Sequence, residues 1–130
     1  MSLNDSMSNA FSAILNAEQI GKREATIMPV SKLLKKVLEI LQHNHYLGEL
    51  KEVTDSRGNY YLLQLLGRIN KCGAIKPRMA VGLDAYEKFE KRYLLAKGFG
   101  VIIVSTNKGI MTHVEAKEKK LGGKLLAYCY

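Results

Sequence analysis

The sequence lacks the features of a membrane or secreted protein. No apolar run reaches the roughly 20 residues of a membrane-spanning helix. The opening residues, MSLNDSMSNAF, have neither the basic region nor the long apolar stretch of a signal peptide. Cysteine is scarce, since Cys72 and Cys129 lie far apart without paired-cysteine spacing. We therefore expect a cytoplasmic protein without membrane contact, whose cysteines are reduced, buried and small.

Motifs for catalysis and metal binding are also missing. His43 and His45 form a lone His-x-His pair and His113 is isolated, so no set of ligands has metal-site spacing. Ser105 is not part of a Gly-x-Ser-x-Gly elbow. Glycines are plentiful, but they form neither a phosphate loop nor a dinucleotide motif. We expect no enzyme, no catalytic residue, no metal and no cofactor.

Acidic residues are few in the second half of the chain. Residues 1–65 hold seven Lys/Arg and seven Asp/Glu, whereas residues 66–130 hold thirteen Lys/Arg and five Asp/Glu. The second half therefore carries the whole net charge of +8. Such a balance favours a polyanionic partner, because neutralising phosphates releases counterions and drives association. A basic surface that binds nothing in particular stays open as the alternative.

Apolar periodicity predicts an α+β fold in two lobes, residues 1–67 and 68–130. The first lobe has the pattern α-β-α-β-β. Leu34, Val37, Leu38 and Leu41 give its second helix an apolar stripe. The predicted elements are a helix from Asp5 to about Ala17, a strand over 24–30, a helix capped by Ser31, and strands over 50–53 and 60–66.

The second lobe is predicted to be mostly antiparallel β with short helices. In one helix Tyr86, Phe89 and Tyr93 share a face, which indicates core packing more than an RNA-stacking platform. Thr112 and Glu115 have capping-box spacing before another helix. The predicted elements are extended pieces over 73–77 and 78–81, a helix opened by Asp84, a buried strand over 100–104, a helix over 114–120 that stops at Gly122-Gly123, and a strand over 125–130.

The turn Ser105-Thr-Asn-Lys-Gly109 between the buried strand and the capped helix carries the strongest local signal. It offers two hydroxyls, an amide and a cation before a glycine. Small polar groups suit the shallow minor groove of RNA, and a lysine suits its phosphates. An ordinary polar turn explains the same residues, so both interpretations stay open. The same holds for Lys32, Lys35 and Lys36, which indicate either a phosphate contact or a solvated helix face.

The segment GVIIVSTNKGIMTHVEAK closely resembles the signature of the small-subunit ribosomal protein eight family. NDSMSNAFSAILNA, PVSKLLKKVLEIL and GGKLLAYCY resemble its first helix, second helix and C-terminal end, so the resemblance covers almost the whole chain. IKPRMAV and EKFEKRYLLAKGFG are similar to archaeal and eukaryotic members, and Lys124 replaces an acid usual in bacterial ones. The signature positions are filled here by Ser105, Thr106, Gly109, Ile110, Met111, Ala116 and Lys117.

This resemblance implies a structural protein of the small ribosomal subunit that binds rRNA and supports its assembly. It implies binding at a distorted internal loop in the central domain (helix twenty-one), contact with neighbouring ribosomal proteins and, in some members, repression of the protein's own mRNA. Two rival hypotheses are a stand-alone mRNA regulator and a basic enzyme or redox protein that uses Cys72 or Cys129. The implied RNA-binding residues are Ser105, Thr106, Asn107, Lys108, Gly109, His113, Ala116, Lys117, Asn4, Ser31 and Lys32.

Overall fold

The computed structural model describes residues 6–27, 32–56, 58–75, 80–94 and 100–130 of the chain. These residues form two antiparallel sheets with helices, which confirms the predicted α+β fold. The chain divides into two compact units, Met1–Asn70 and Lys71–Tyr130. Each unit is described separately below.

The N-terminal unit has the predicted order α-β-α-β-β. Its elements are α1 (Ser6–Gln19), β1 (Glu24–Ile27), α2 (Lys32–His43), β2 (Leu47–Asp55) and β3 (Gly58–Leu65). The sheet has the strand order β1-β3-β2 with antiparallel pairing throughout. Helix α1 packs against β1, and α2 packs against β2.

Both helices of this unit follow their apolar patterns. In α2 the residues Leu34, Val37, Leu38 and Leu41 are buried, as their spacing predicts. Helix α1 runs two residues beyond its predicted end because its stop signal lies at Gly21. Gly21 has φ +76°, and the Lys22 amide donates to the Ala17 carbonyl at 2.9 Å. This is the glycine-terminated helix end that satisfies the last carbonyl groups. Strands β2 and β3 both begin before their predicted first residues.

The C-terminal unit is a five-stranded antiparallel sheet with short helices. Its elements are β4 (Cys72–Ala74), β5 (Ala80–Val81), a 3-10 turn (Leu83–Ala85), α3 (Tyr86–Tyr93), β6 (Val101–Thr106), β7 (Gly109–Thr112), α4 (His113–Glu118) and β8 (Gly123–Cys129). The strands run in the order β4-β8-β6-β7, and β5 also pairs with β8. Strand β6 is buried from Val101 to Val104, in agreement with the predicted buried strand.

A single apolar cluster joins α3, α4 and one side of this sheet. Tyr86 and Phe89 are buried in it, so the prediction that they are core residues is confirmed. Burying side chains of this size is the main favourable contribution to folding of so small a unit. The cluster comprises Ile75, Val81, Tyr86, Phe89, Leu94, Ile102, Val104, Met111, Ala116 and Leu125.

Two local predictions in this unit had the wrong boundaries. Ser105 and Thr106 belong to β6 and Gly109 begins β7, so the predicted turn is the tip of a β-hairpin with only Asn107 and Lys108 as its loop. Helix α4 ends at Glu118, not at the double glycine, because Lys120 adopts φ +58° and closes the helix. The Lys120 amide then donates to the Lys117 carbonyl at 3.1 Å.

Candidate nucleic-acid interface

The tip of the β6–β7 hairpin presents a small polar surface to solvent. Asn107, Lys108 and Gly109 are exposed, while Ser105 and Thr106 are half-buried. The Thr106 hydroxyl donates to the Gly109 carbonyl at 2.8 Å and accepts from the Lys108 amide at 3.1 Å. These two bonds hold the tip in one shape. The side chains of Asn107 and Lys108 are therefore the exposed polar groups of the tip.

Backbone conformation restricts the residue that closes the turn. Gly109 has φ +119°, a conformation that residues with a Cβ rarely adopt. A Cβ added at Gly109 would meet nothing within 4 Å, so conformation rather than crowding requires glycine here. The tip consequently stays small, and its backbone is accessible.

Gly123 allows the neighbouring strand to approach the hairpin. Thr106 lies opposite Gly123 in the β6–β8 pairing, and Ser105 lies opposite Lys124. A Cβ at Gly123 would stand 2.2 Å from the Ser105 carbonyl oxygen, which is far inside contact distance. Gly122 is similarly close to β5, since its Cβ would stand 2.7 Å from the Val81 carbonyl oxygen. The double glycine, predicted as a helix stop, instead permits close packing of three strands.

Helix α4 follows the hairpin directly and begins as predicted at its cap. The Glu115 amide donates to the Thr112 hydroxyl at 3.2 Å. The Glu115 carboxylate lies 3.2 Å from the ammonium of Lys119, one turn further along the helix. Ala116 is fully buried in the apolar cluster. Its small side chain lets the helix lie close against the sheet.

A buried polar network joins α3 to α4. Glu90 and His113 are only 3% and 1% exposed, so their partners decide whether the site is stable. Lys117 donates to the Glu90 carboxylate, and His113 Nε2 lies 3.5 Å from the same oxygen. The Ile102 amide of β6 donates to His113 Nδ1 at 3.1 Å. Among the described residues, no buried side-chain nitrogen or oxygen lacks a hydrogen-bond partner.

The protonation state of His113 follows from this geometry. Since Nδ1 accepts a hydrogen bond from Ile102, the ring proton of the neutral form lies on Nε2, facing Glu90. Burial lowers the pKa of His113, and the nearby Glu90 carboxylate only partly opposes that effect. His113 is therefore a neutral link between β6 and α3.

Helix α3 also holds the far end of α4. The Tyr86 hydroxyl donates to the Leu121 carbonyl at 2.8 Å, and the Leu121 amide donates to the Ala116 carbonyl at 2.9 Å. Sequence reasoning missed both Glu90 and the role of the Tyr86 hydroxyl. A signal for Glu90 does exist, because it follows Phe89 on a helix stripe that is otherwise apolar.

The structure divides the predicted RNA-binding residues into distinct groups. Asn107, Lys108 and Gly109 are exposed together at the tip, with Ser105 and Thr106 beneath them. His113 and Ala116 are buried, so they position the hairpin and do not present a surface to a partner. Lys117 is half-buried on Glu90. Lys32 is exposed at the start of α2 in the other unit, and Asn4 and Ser31 lie outside the described residues.

Lys124 belongs beside this surface, although sequence reasoning did not include it among the site residues. It is exposed, and strand pairing places it directly opposite Ser105. Opposite residues of paired strands share a sheet face, so the Lys124 and Ser105 side chains leave the same face of the sheet side by side. Sequence spacing gives no hint of this neighbour, because nearly twenty residues separate the two.

Other kinds of site have less support. The described residues contain no group of three or more His, Cys, Asp or Glu that could hold a metal ion. Cys72 and Cys129 are both buried and lie opposite each other across β4 and β8. None of the helices in the described segments combines the length and apolar character that crossing a membrane requires.

Comparison with known families gives a match for this chain. A family model described as Ribosomal protein S8 matches residues 5–130, which is nearly the entire chain and includes the hairpin, α4 and the double glycine. Proteins of this family are structural components of the small ribosomal subunit that bind rRNA and have no enzymatic activity. The match removes the rival hypothesis of a basic enzyme. The chain belongs to the ribosomal protein S8 family.

Proposed function

We propose that the β6–β7 hairpin tip is the main contact with rRNA, at a distorted internal loop in the central domain of small-subunit rRNA (helix twenty-one). The observation that carries this proposal is the exposed Asn107-Lys108-Gly109 tip, held in one shape by the two hydrogen bonds of Thr106. A shallow RNA minor groove displays ribose hydroxyls and base edges, and small polar groups on a narrow tip can reach them.

The residues of the tip have separate roles in this proposal. The Asn107 amide both donates and accepts, so it reads base edges or ribose hydroxyls. Lys108 and Lys124 contact phosphates, which positions the protein without specifying a sequence. Ser105 adds a hydroxyl beside Lys124. Thr106 has both hydroxyl functions engaged by the turn, so it preserves the shape of the tip.

The basic charge supports assigning RNA binding mainly to the C-terminal lobe, residues 68–130. Residues 68–130 hold thirteen Lys/Arg and five Asp/Glu, whereas residues 1–67 hold seven Lys/Arg and seven Asp/Glu. Lys117, whose ammonium is bound to Glu90, contributes to RNA binding by fixing α4, and its half-buried stem limits direct contact. The positive field of the lobe speeds association with rRNA.

The N-terminal lobe adds a smaller contact at the start of α2. Lys32 and Lys36 are exposed there, and Lys35 lies 3.7 Å from Glu52 in a solvent-exposed pair. Lysines in a first helical turn oppose the helix dipole, so helix stability does not explain them. Ser31 and Lys32 belong to this proposed contact, and Asn4, which precedes α1 in the sequence, is proposed as a further contact of the N-terminal lobe.

We also propose that the protein is an archaeal or eukaryotic type of S8. The segments IKPRMAV and EKFEKRYLLAKGFG support this assignment, as does Lys124 in place of an acid. Because Lys124 lies opposite Ser105, this difference makes the surface beside the hairpin more basic. We therefore propose that the lysine at position 124 strengthens phosphate binding beside the hairpin tip.

Chemical footprinting on small-subunit rRNA tests the proposed location. The wild-type protein should protect nucleotides around the internal loop of helix twenty-one. The double variant Asn107→Ala, Lys108→Ala should lose that protection while keeping its circular dichroism spectrum. Protection confined to another region, or unchanged by the double variant, would overturn the proposal. Competition between rRNA and fragments of the protein's own mRNA tests whether the protein represses that mRNA. Tighter binding to the mRNA than to rRNA would favour the regulatory role.

A further inference from the structure

Three tyrosines form a stacked row at the end of the C-terminal sheet opposite the hairpin tip. The ring centroids of Tyr93 and Tyr128 are 5.4 Å apart with an interplanar angle of 29°, and those of Tyr128 and Tyr130 are 6.4 Å apart with an angle of 26°. All three side chains are half-buried, so each covers the core and also faces solvent. We call Tyr93, Tyr128 and Tyr130 the tyrosine ladder.

Two glycines make room for the tyrosine ladder. A Cβ on Gly73 would lie 3.1 Å from the Tyr128 ring, so that ring lies across the backbone of β4. Gly100 has φ +102°, and a Cβ there would lie 2.7 Å from the Cβ of Tyr130. Glycine at these two positions therefore leaves the space that Tyr128 and Tyr130 occupy. The ladder is therefore a defined arrangement held by the backbone.

Cations lie at both ends of the ladder. The Arg92 guanidinium lies 5.5 Å from the centre of the Tyr93 ring. Lys71 and Tyr130 exchange backbone hydrogen bonds of 3.0 and 2.9 Å, so their side chains share one face of the sheet. Lys88 and Lys91 add exposed cations on α3, against one exposed acid of that helix, Glu87. This charge balance matches a polyanion.

We propose that the tyrosine ladder binds unpaired RNA nucleotides by stacking, as a second contact for the RNA that the hairpin tip recognises. The inference rests on the proposed rRNA-binding function and extends it to a single-stranded segment. Since the ladder rings and Arg92 cover one another's faces, a base stacks by adding at the end of the row or by entering between two rings, and neighbouring cations hold the backbone phosphates. An exposed apolar protein partner would not need cations at both ends of the row.

A binding series with a short oligouridylate tests this inference. Tyr128→Leu and Tyr93→Leu should each weaken binding at least about fivefold, the lower range for loss of one stacked base. Tyr128→Phe should retain the affinity because the ring remains. Tyr60→Leu makes the same change at a half-buried tyrosine of the N-terminal unit, and it should leave binding unaltered. Thermal melting of each variant establishes that it is folded.

Crosslinking locates the contact without any substitution. A bromouridine in the oligouridylate should crosslink under ultraviolet light to the ladder. Trypsin then releases Tyr93 in the peptide 93–97 and both Tyr128 and Tyr130 in the peptide 125–130. Crosslinks on either peptide support the inference. Crosslinks confined to other peptides contradict it.

The hairpin variants separate this inference from the proposed function. Asn107→Ala should weaken binding to the rRNA internal loop and leave oligouridylate affinity unchanged. If Asn107→Ala binds the internal loop normally while Tyr128→Leu still loses oligouridylate, the hairpin proposal fails and the ladder stands. If Tyr128→Leu and Tyr93→Leu bind oligouridylate like the wild type, the ladder proposal is overturned, and a protein becomes the better candidate for that surface.

Discussion

The hairpin tip and the layer beneath it differ in almost every physical property. The tip is exposed, polar and only two loop residues long. The support layer, which we define as Glu90, His113, Ala116 and Gly123, is buried or tightly packed against backbone. On the proposed function, the tip recognises RNA and the support layer fixes the shape and position of the tip. The segment that resembles the family signature contains both kinds of residue: Asn107 and Lys108 are exposed, whereas His113 and Ala116 are buried.

The largest predicted effect is the loss of stability caused by Gly123→Ala in the support layer. The new Cβ would overlap the Ser105 carbonyl at 2.2 Å, and backbone cannot yield as a flexible side chain does. We expect a loss of about 3 kcal/mol in the free energy of unfolding, measured by denaturant titration. Gly82→Ala is the control, because its Cβ meets nothing within 4 Å. Equal stability of the two variants would show that the strands are not closely packed at Gly123.

Next in size is Glu90→Ala, which breaks the buried network. The variant leaves His113 Nε2 without its acceptor, while the half-exposed Lys117 can turn to solvent. Loss of one buried partner predicts a cost of about 2 kcal/mol in unfolding free energy. Glu87→Ala removes an exposed carboxylate from the same helix and should cost less than about 0.5 kcal/mol. If the Glu90→Ala and Glu87→Ala variants are equally stable, the buried network does not stabilise the fold.

Thr106 lies between the two regions and should show an intermediate effect. Thr106→Val removes the hydroxyl that binds the Gly109 carbonyl and the Lys108 amide. We expect rRNA affinity to fall by about 1 kcal/mol, with faster hydrogen exchange at the Lys108 amide. Thr106→Ser keeps the hydroxyl and should bind like the wild type. Loss of affinity without faster exchange would instead indicate that Thr106 touches the RNA.

The smallest effect should be a pH dependence from His113. Burial lowers the pKa of His113 in the folded state below its ordinary value of 6.5. As pH falls below 6.5 the unfolded chain takes up a proton that the folded chain does not, so stability declines. Denaturant titrations between neutral and mildly acidic pH should show this decline, and His113→Gln should reduce it. An identical slope in the variant would assign the pH dependence to other groups.

Much of the fold was predictable because its apolar patterns are regular. The stripe of α2 and the run Val101 to Val104 each indicated a buried element, and both are buried. Element ends were less predictable where unusual residues set them. Helix α4 ends at Glu118 because Lys120, two residues further on, adopts φ +58°, a conformation for which lysine gives no sequence signal.

For the candidate site, the sequence indicated the exposed polar tip but not the residues that lie beneath it. A dense run of small polar residues indicated Asn107 and Lys108 directly. The roles of Glu90, Lys124 and Gly123 depend on which strands and helices become neighbours, and no local pattern contains that information. His113 and Ala116 were expected to bind RNA, and both lie in the segment that resembles the family signature. Their burial shows that a signature also records packing.

The most direct test compares Asn107→Ala with Lys108→Ala on the rRNA internal loop and on a random duplex at several salt concentrations. Asn107→Ala should weaken binding to the internal loop by about 1–3 kcal/mol and leave the random duplex unaffected. Lys108→Ala should weaken both and reduce the salt slope by about 1. If both variants lose the same affinity on both RNAs, or neither variant loses any, the tip does not recognise rRNA in the way described.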